Sequence, residues 1–309
     1  MKPRLVVILG PTATGKSACA IELARRFQGE IISGDSMLVY KNMNIGTAKP
    51  TAEELGLVPH HLVDILPPEA SFNVVEFKQR AEQLIAEINA RGHLPIVAGG
   101  TGLYIKSLLE DYRFSEVEED TELRKQLEQE AELLGREALY ARLQELDPEA
   151  AAHIDAGNLR RTIRALEAYS KGGHVRQESA GELPYDALVF GLSMERSFLY
   201  ERINLRVDKM LEAGLLQEVQ ELLEAGVPVD CQAMQSIGYR QLLWHLQADM
   251  TYGEAVDKLK QATRNFAKRQ LTWYKKMPYI HWLEVSRELP YGELVDTMSA
   301  EIEEHFQLH

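Results

Sequence analysis

The sequence predicts an α/β protein, a parallel sheet with helices on both faces, interrupted by helical sequence and followed by more of it. Three observations carry this. Short apolar runs alternate with helically spaced segments over residues 4 to 98, the pattern of strands joined by crossover helices. The first run ends in a glycine-rich loop that opens a helix. From about residue 113 to 182 the pattern turns acidic and helix-forming, and a strand-like run returns at 186 to 192.

Taken in order, residues 4 to 9 (Arg-Leu-Val-Val-Ile-Leu) end at Gly10, and Ala18, Ile21, Leu23, Ala24 and Phe27 then follow at helical spacing, giving strand, loop, helix. Ile31-Ile32 forms a second short strand and 94 to 98 a third that stops at Gly99-Gly100, with a helical pattern over 72 to 90 between them. Residues 122 to 134 are helix-forming, and Asp147-Pro148, Gly157 and Gly172-Gly173 punctuate the acidic stretch. After the strand at 186 to 192, helices are expected at about 196 to 213, 215 to 225, 239 to 247 and 251 to 276. The expected division is a core of residues 1–112 and 183–309, with a helical insertion at 113–182.

Composition excludes several classes. With 45% hydrophobic and 26% charged residues among 309, the chain is neither disordered nor fibrous. No apolar run approaches the ~18–20 residues of a membrane span, and the run before Gly10 is too short for a signal peptide, so a cytoplasmic protein with no membrane partner is expected. Cys19 and Cys231 are far apart and have no second pair, which encodes neither a disulfide framework nor a zinc site. The net charge of −13 argues against a nucleic-acid partner on average. The distribution reverses that locally: residues 115–157 hold 13 acidic and 4 basic side chains, whereas 258–276 hold seven Lys or Arg and no acid.

Gly10-Pro11-Thr12-Ala13-Thr14-Gly15-Lys16-Ser17 satisfies Gly-x4-Gly-Lys-Ser between a strand and a helix, which makes the sheet a P-loop NTPase-like core. In that setting the backbone N–H groups and helix dipole cradle phosphate, Lys16 adds a charge, and Ser17 offers a hydroxyl to Mg²⁺. The other parts of an NTP hydrolase are not evident: the strand at 94–98 ends in Gly-Gly-Thr without an acid. Gly99 and Gly100 leave room for a bulky group, or simply make a tight turn; Thr101 is a donor beside them. Asp35 follows the second strand at the carboxyl edge, where ligands of such sheets bind. It fits a general base toward an incoming hydroxyl or amine, or a Mg²⁺ ligand through water. Residues 36–50 are too long and apolar for a simple turn and read as a substrate-covering loop, in which Met37, Tyr40 and Met43 belong to a ligand pocket or to the core. Adjacent His60 and His61 cannot easily face one site from a strand and are expected to pack.

With these residues in place the chain resembles the tRNA dimethylallyltransferases. The similarity rests on the phosphate loop, on Asp-Ser-Met-Leu-Val-Tyr-Lys-Asn-Met-Asn-Ile-Gly-Thr-Ala-Lys-Pro (35–50), Pro-His-His-Leu-Val-Asp (59–64) and Gly-Gly-Thr-Gly-Leu-Tyr (99–104). It continues through Arg-Arg-Thr-Ile-Arg-Ala-Leu-Glu (160–167), Leu-Tyr-Glu-Arg-Ile-Asn-Leu-Arg-Val (199–207), Gln-Ser-Ile-Gly-Tyr-Arg-Gln (235–241) and Thr-Arg-Asn-Phe-Ala-Lys-Arg-Gln-Leu-Thr-Trp (263–273). The resemblance implies transfer of a dimethylallyl group from dimethylallyl pyrophosphate to the exocyclic amine of the adenosine 3′ of the anticodon in tRNA. It implies that residues 10–17 bind pyrophosphate rather than ATP, and that Lys16, Ser17 with Mg²⁺, and Arg206 stabilise the charge growing on it. Asp35 would take the amine's proton, and Thr101 would lie where the two substrates meet, in a channel entered from both sides. The implied RNA face comprises Asp35, Ser36, Met37 and Leu38 with Thr101; Arg124, Arg160, Arg161 and Arg164; Gln235, Gly238, Tyr239 and Arg240; and Arg264, Lys268 and Arg269. Phe266 and Trp273 are available for packing or base stacking.

Eukaryotic members add a zinc finger that two distant cysteines cannot supply. Thr14 and Ser17 stand where other members carry Ser and Thr, keeping the hydroxyls. The rival readings are a small-molecule kinase, prenyl transfer to free adenine nucleotides, and an RNA-binding module that only senses nucleotide. Nothing marks a dimer seam, so a monomer is expected.

Overall fold

The computed structural model describes residues 2–112, 120–172, 182–288 and 291–308. Segments 113–119 and 173–181, at the expected borders of the insertion, lie outside the described residues. The chain divides into two compact units, 1–109 with 183–309, and 110–182.

The first unit is built on a parallel sheet of six strands in the order β3-β2-β4-β1-β5-β6. They are β1 (Arg4–Leu9), β2 (Gly29–Ser33), β3 (His60–His61), β4 (Leu94–Gly99), β5 (Asp186–Ser193) and β6 (His281–Glu284). β1 sits at the centre, paired with β4 from Val6↔Ile96 to Leu9↔Gly99 and with β5 from Arg4↔Asp186 to Leu9↔Gly191. Its unbroken apolar run follows from burial on both faces. Leu5, Val7 and Leu9 pack on one side with Phe77, Ile85, Ile105 and Leu108, while Val6 and Ile8 pack on the other with Leu23, Leu294 and Met298.

Helices α1 (Lys16–Arg26), α3 (Val74–Ala90) and α4 (Gly102–Leu109) cover the sheet, and the short α2 (Ala52–Leu57) lies at the surface. In the second unit come α5 (Thr121–Leu134), α6 (Arg136–Leu146), α7 (Pro148–Ala152) and α8 (Leu159–Ser170). The first unit then adds α9 (Arg196–Glu212), α10 (Leu215–Glu224), α11 (Tyr239–Leu246), α12 (Tyr252–Tyr274) and α13 (Tyr291–Phe306). Caps mark the boundaries as their residue types demand: Thr251 and Glu254 form a capping box at α12, and Asn73 and Glu76 do so at α3.

Five elements went unpredicted, each for a physical reason. β3 is two residues long, and β6 is an edge strand whose His-Trp-Leu-Glu is mostly exposed. α4 buries Tyr104, Ile105, Ser107, Leu108 and Leu109, leaving no polar face to set a period. α2 buries nothing, and α13, whose buried stripe of Leu294, Val295, Met298 and Ile302 is regular, has no capping residue type before it in the sequence to mark its start.

The loop after β2 is a stapled wall rather than a loose cover. Val39, Tyr40 and Met43 are fully buried, which settles Tyr40 and Met43 as core. Main-chain bonds tie 38–41 to 64–66, including Lys41 N–H to Leu66 O at 2.8 Å and Ile65 N–H to Val39 O at 2.9 Å. His60 and His61 pack as expected: His60 Nδ1 lies 2.9 Å from Val58 O, and His61 Nε2 lies 2.7 Å from Glu30 Oε2.

The second unit folds around Leu127, Leu139, Leu143, Ile163 and Leu166. Within it Glu167 is fully buried, and it accepts hydrogen bonds from Arg124 Nη2 at 2.9 Å, Arg164 Nη1 at 2.7 Å and the Asp120 N–H at 2.6 Å.

Candidate active site

The carboxyl ends of β1, β2 and β4 meet at one edge of the sheet, the place where parallel sheets bind ligands. β1 runs into the phosphate loop, and Gly10 there has φ +153° and would bring a Cβ within 2.7 Å of Leu192 O on β5. The loop is closed from within: the Thr14 hydroxyl and Lys16 Nζ donate to Pro11 O at 2.9 and 2.8 Å. It is also held from outside, because Arg202 Nε donates to Ala13 O at 2.8 Å and the Thr12 N–H donates to Gln270 Oε1 at 3.0 Å. Thr12's amide is therefore engaged by the protein itself, and Pro11 and Thr14 are buried. Ala13, Gly15, Lys16 and Ser17 line the open side.

Gln270, 4% exposed on the basic helix α12, ties the phosphate loop to the end of β4 by donating Nε2 to Gly100 O at 2.8 Å. Tyr274 donates its hydroxyl to the same carbonyl at 2.8 Å. This corrects the reading of the two glycines as space for a ligand. A Cβ on Gly99 would fall 2.3 Å from Gly34 C, and one on Gly100 would fall 2.4 Å from Gln270 Nε2. Gly99 is required by packing against main chain, whereas a side chain at position 100 would displace the Gln270 amide and its hydrogen bonds.

Asp35 and Thr101 are laced together across β2 and β4. The Thr101 N–H donates to Gly34 O at 3.2 Å, and Thr101 Oγ1 accepts the Ser36 N–H at 3.1 Å. Asp35 Oδ1 accepts the Met37 N–H at 2.8 Å, while Oδ2 accepts no hydrogen bond among the described residues.

Two cavities open at this edge. The larger, about 590 Å³, is lined by Lys16, Ser17, Lys49, Arg202, Arg206 and Lys209 among others. The smaller, about 310 Å³, is lined by Thr12, Asp35, Ser36, Met37, Thr101 and Gln235 among others, with Gly238 and Arg269 at its wall. Arg206 and Met210 line both. Burial, then the neighbouring Arg206 charge, lower the Lys16 pKa to about 8, and Asp35 opposes them. Burial likewise lowers the Arg206 pKa against the pull of Asp35. Two cations and one carboxylate thus share one field around the wall common to the two cavities.

Sequence reasoning missed Arg202 and Lys209, although both stand with Arg206 at helical spacing, i, i+4 and i+7, on α9. It also missed Gln270, whose only signal was a polar residue at a position buried by helical period. For a metal, the described residues hold no group of three or more His, Cys, Asp or Glu arranged so that it could hold an ion. The Ser17 hydroxyl at the cavity wall fits Mg²⁺ only in the manner of a phosphate-bound ion that keeps waters and substrate oxygens as its main ligands.

The residues implied for RNA divide. Arg160 and Arg161 are exposed on α8, whereas Arg124 and Arg164 pair with Glu167. Tyr239 is fully buried and donates to Glu218. Gly238 is buried with φ +102° at the start of α11, and Leu38 is half-buried. Gln235 is exposed and donates to Val229 O at 2.8 Å, and Arg240 lies 5.4 Å from the Trp244 ring centroid. On α12, Arg264 donates to Asn204 Oδ1 at 2.7 Å, Lys268 is exposed, and Arg269 lies 5.8 Å from the Phe266 ring centroid. Trp273 packs on Gly102, where a Cβ would lie 3.1 Å from it.

Comparison with known proteins shows the family. Residues 38–277 match the family model described as IPP transferase. A tRNA dimethylallyltransferase of an Exiguobacterium species is 49% identical over 96% of this chain and 96% of its own. The crystal structure of the full-length tRNA isopentenylpyrophosphate transferase of Bacillus halodurans superposes with a TM-score of 0.76 at 42% identity, covering 99% of this chain and 97% of that one. A eukaryotic dimethylallyltransferase, caught acting on tRNA in crystallographic snapshots, gives a TM-score of 0.84 at 29% identity over 98% of this chain and 79% of its own. A parallel sheet carrying a phosphate loop, a carboxylate at the next strand end and similarity over nearly the whole chain together make this chain a member of the IPP transferase family.

Proposed function

We propose that the chain transfers a dimethylallyl group from dimethylallyl pyrophosphate to the exocyclic N6 amine of the adenosine 3′ of the anticodon in tRNA, releasing pyrophosphate. The observation that carries this is a pair of neighbouring cavities that share Arg206 and Met210 in their walls, one walled by the phosphate loop and the other by Asp35 and Thr101. A donor ester and an acceptor base entering from the two sides meet there.

The larger cavity suits a pyrophosphate because Lys16, Arg202, Arg206 and Lys209 converge on it. As the carbon–oxygen bond of the allylic ester breaks, its electron pair passes to the pyrophosphate oxygen. Arg206 and Lys16 meet the growing charge, and such preorganised cations act most strongly in a partly dry site. Mg²⁺ held by Ser17 and the pyrophosphate oxygens would add Lewis-acid neutralisation of the same charge.

An adenine amine is a poor nucleophile, since its lone pair is delocalised into the ring, so its placement against the allylic carbon must supply much of the acceleration. Asp35 Oδ2 is open to take the amine proton as the new carbon–nitrogen bond forms. Thr101 accepts the Ser36 N–H at Oγ1, which leaves its hydroxyl proton available to donate to the base. The anticodon-loop adenosine is single-stranded and costs little to extrude.

The test is transfer of label from dimethylallyl pyrophosphate to unmodified tRNA with Mg²⁺, beside γ-labelled ATP with the same tRNA and beside free AMP as acceptor. Label in tRNA from the prenyl donor alone is the expected result. Label from ATP would instead make the phosphate loop that of a kinase, and label in AMP would make the acceptor a free nucleotide.

A further inference from the structure

We propose that Glu218 is a positioning residue for the transfer, holding in place the stretch of chain that walls both cavities; this rests on the function proposed above. Residues 44–47 give Asn44 and Ile45 to the larger cavity and Gly46 and Thr47 to the smaller. The stretch belongs to no helix or strand, so its position depends on what its main chain is bound to.

Three consecutive amides bind one carboxylate. Asn44 and Ile45 each donate an N–H to Glu218 Oε2 at 2.8 Å, and Gly46 donates to Oε1 at 3.0 Å. The Tyr239 hydroxyl donates to the same Oε1. Successive N–H groups converging on an anion form a nest, a device that elsewhere binds phosphate, and here the chain fills it with its own side chain. Glu218 is 7% exposed, and no Lys, Arg or His among the described residues pairs with it, so four hydrogen bonds alone compensate its burial. The approach is close: a Cβ on Gly46 would fall 2.4 Å from the Tyr239 ring.

Lys49 secures the stretch from the other side. Its side chain is 3% exposed, donates to Tyr40 O at 2.8 Å and Asn44 Oδ1 at 2.9 Å, and pairs with Asp64. Lys49 also lines the larger cavity, whereas Glu218 lines neither. Glu218 therefore acts through the loop. When it is removed the amides of 44–46 lose their acceptor, the loop must move to find another, and the two substrates lose their mutual alignment.

The experiment compares the full-length parent with Glu218→Gln, whose amide presents an N–H₂ to donors that need an acceptor. Hydrogen exchange of the free proteins is read over 42–49, and kcat and KM are read with dimethylallyl pyrophosphate and tRNA. Faster exchange over 42–49, with kcat lower by about 10- to 100-fold and both KM values within about threefold, is the expected result, since small misplacements carry such costs. Gly46→Ala, which drives the loop off Tyr239 while leaving the carboxylate, should reproduce the pattern and carries the test if Glu218→Gln fails to fold. Leu222→Ala leaves a cavity on the same helix and controls for lost stability; it should lower Tm with kcat within about twofold. Unchanged exchange over 42–49 in Glu218→Gln would overturn the proposal. So would faster exchange with unchanged kcat, or a loss of kcat that Leu222→Ala equals. A parent that transfers nothing to tRNA would count against the proposed function alone, and exchange would still decide whether Glu218 holds the loop.

Discussion

Strand β2 carries a carboxylate near each end, and the two have opposite surroundings. Glu30, at the amino end, has a side chain 5% exposed and is met by Arg91 Nη2 at 2.9 Å, His61 Nε2 at 2.7 Å and His93 Nδ1 at 2.8 Å. Asp35, just past the carboxyl end, accepts one main-chain N–H and faces a cavity. Saturation is what separates them: the donors around Glu30 leave no lone pair for a substrate, whereas Asp35 retains an oxygen that can take a proton. The same contrast sorts the arginines. Arg124 and Arg164 are spent on Glu167, and Arg206 stands between two cavities with its charge opposed only by that of Asp35.

If that contrast is the right one, Asp35→Ala should be the most damaging single change to turnover and among the least damaging to folding. Loss of a general base lowers kcat by about 10²- to 10⁴-fold, while loss of one exposed-side acceptor for Met37 costs less than about 1 kcal/mol. Single-turnover transfer and thermal unfolding measured on one preparation would check both halves. A rate within a few-fold of the parent would remove the proton from Asp35.

Glu30→Gln should show the converse, stability lost with turnover kept. Burial pushes the Glu30 pKa up, but the hydrogen bonds from His61, His93 and Arg91 outweigh it and bring the value down to about 2. A carboxylate depressed on folding stabilises the native state fully above its unfolded pKa of about 4.3, and that contribution is lost as pH falls toward about 2. The neutral variant is expected to unfold about 1–3 kcal/mol more easily at neutral pH, which is the cost of unpairing buried charged donors. Its Tm should also fall less steeply than the parent's between pH 4.3 and pH 2. A Glu30→Gln protein with impaired kcat at temperatures well below its Tm would break the comparison, because the amino end of β2 would then be acting on the site.

What could be read from the residues alone was whatever a local pattern encodes. The phosphate loop is contiguous, Asp35 directly follows an apolar strand, and the four main strands of the sheet are apolar because both faces are covered, so each left a short-range signal. Glu218 and Gln270 left at most a polar residue on a buried helical face, with no sign of what it binds. Each is a polar residue on a helix whose meaning comes from a main-chain segment more than a hundred positions away, Asn44 to Gly46 for one and Thr12 with Gly100 for the other. The glycines at 99 and 100 were visible, but their reason was not, since Gly34 and Gln270 meet them only in the folded sheet. Nor does the family resemblance tell that Arg124 and Arg164 pair with Glu167 or that Tyr239 is buried against Glu218. A motif names the residues, and only packing tells whether a side chain's hydrogen bonds are already spent.

The basic helix α12 allows the finest version of the comparison, because its cations differ in how far their charge is used. Arg264 gives a hydrogen bond to Asn204, and Arg269 lies over Phe266 and lines the smaller cavity. Lys268 is exposed, and its ammonium has no partner among the described residues. If tRNA phosphates are met by α12, Lys268 is the side chain with a whole charge to offer. Lys268→Ala should therefore weaken tRNA binding at low salt and reduce the slope of log affinity against log salt by about 0.7 to 0.9, the share of one phosphate contact. kcat at saturating tRNA should stay within about twofold, since a phosphate contact positions the RNA without touching the reacting atoms. Binding titrations at four or five salt concentrations measure the slope directly. An unchanged slope would mean that exposure alone does not put a cation on RNA, and that the open charges of this helix belong to solvent.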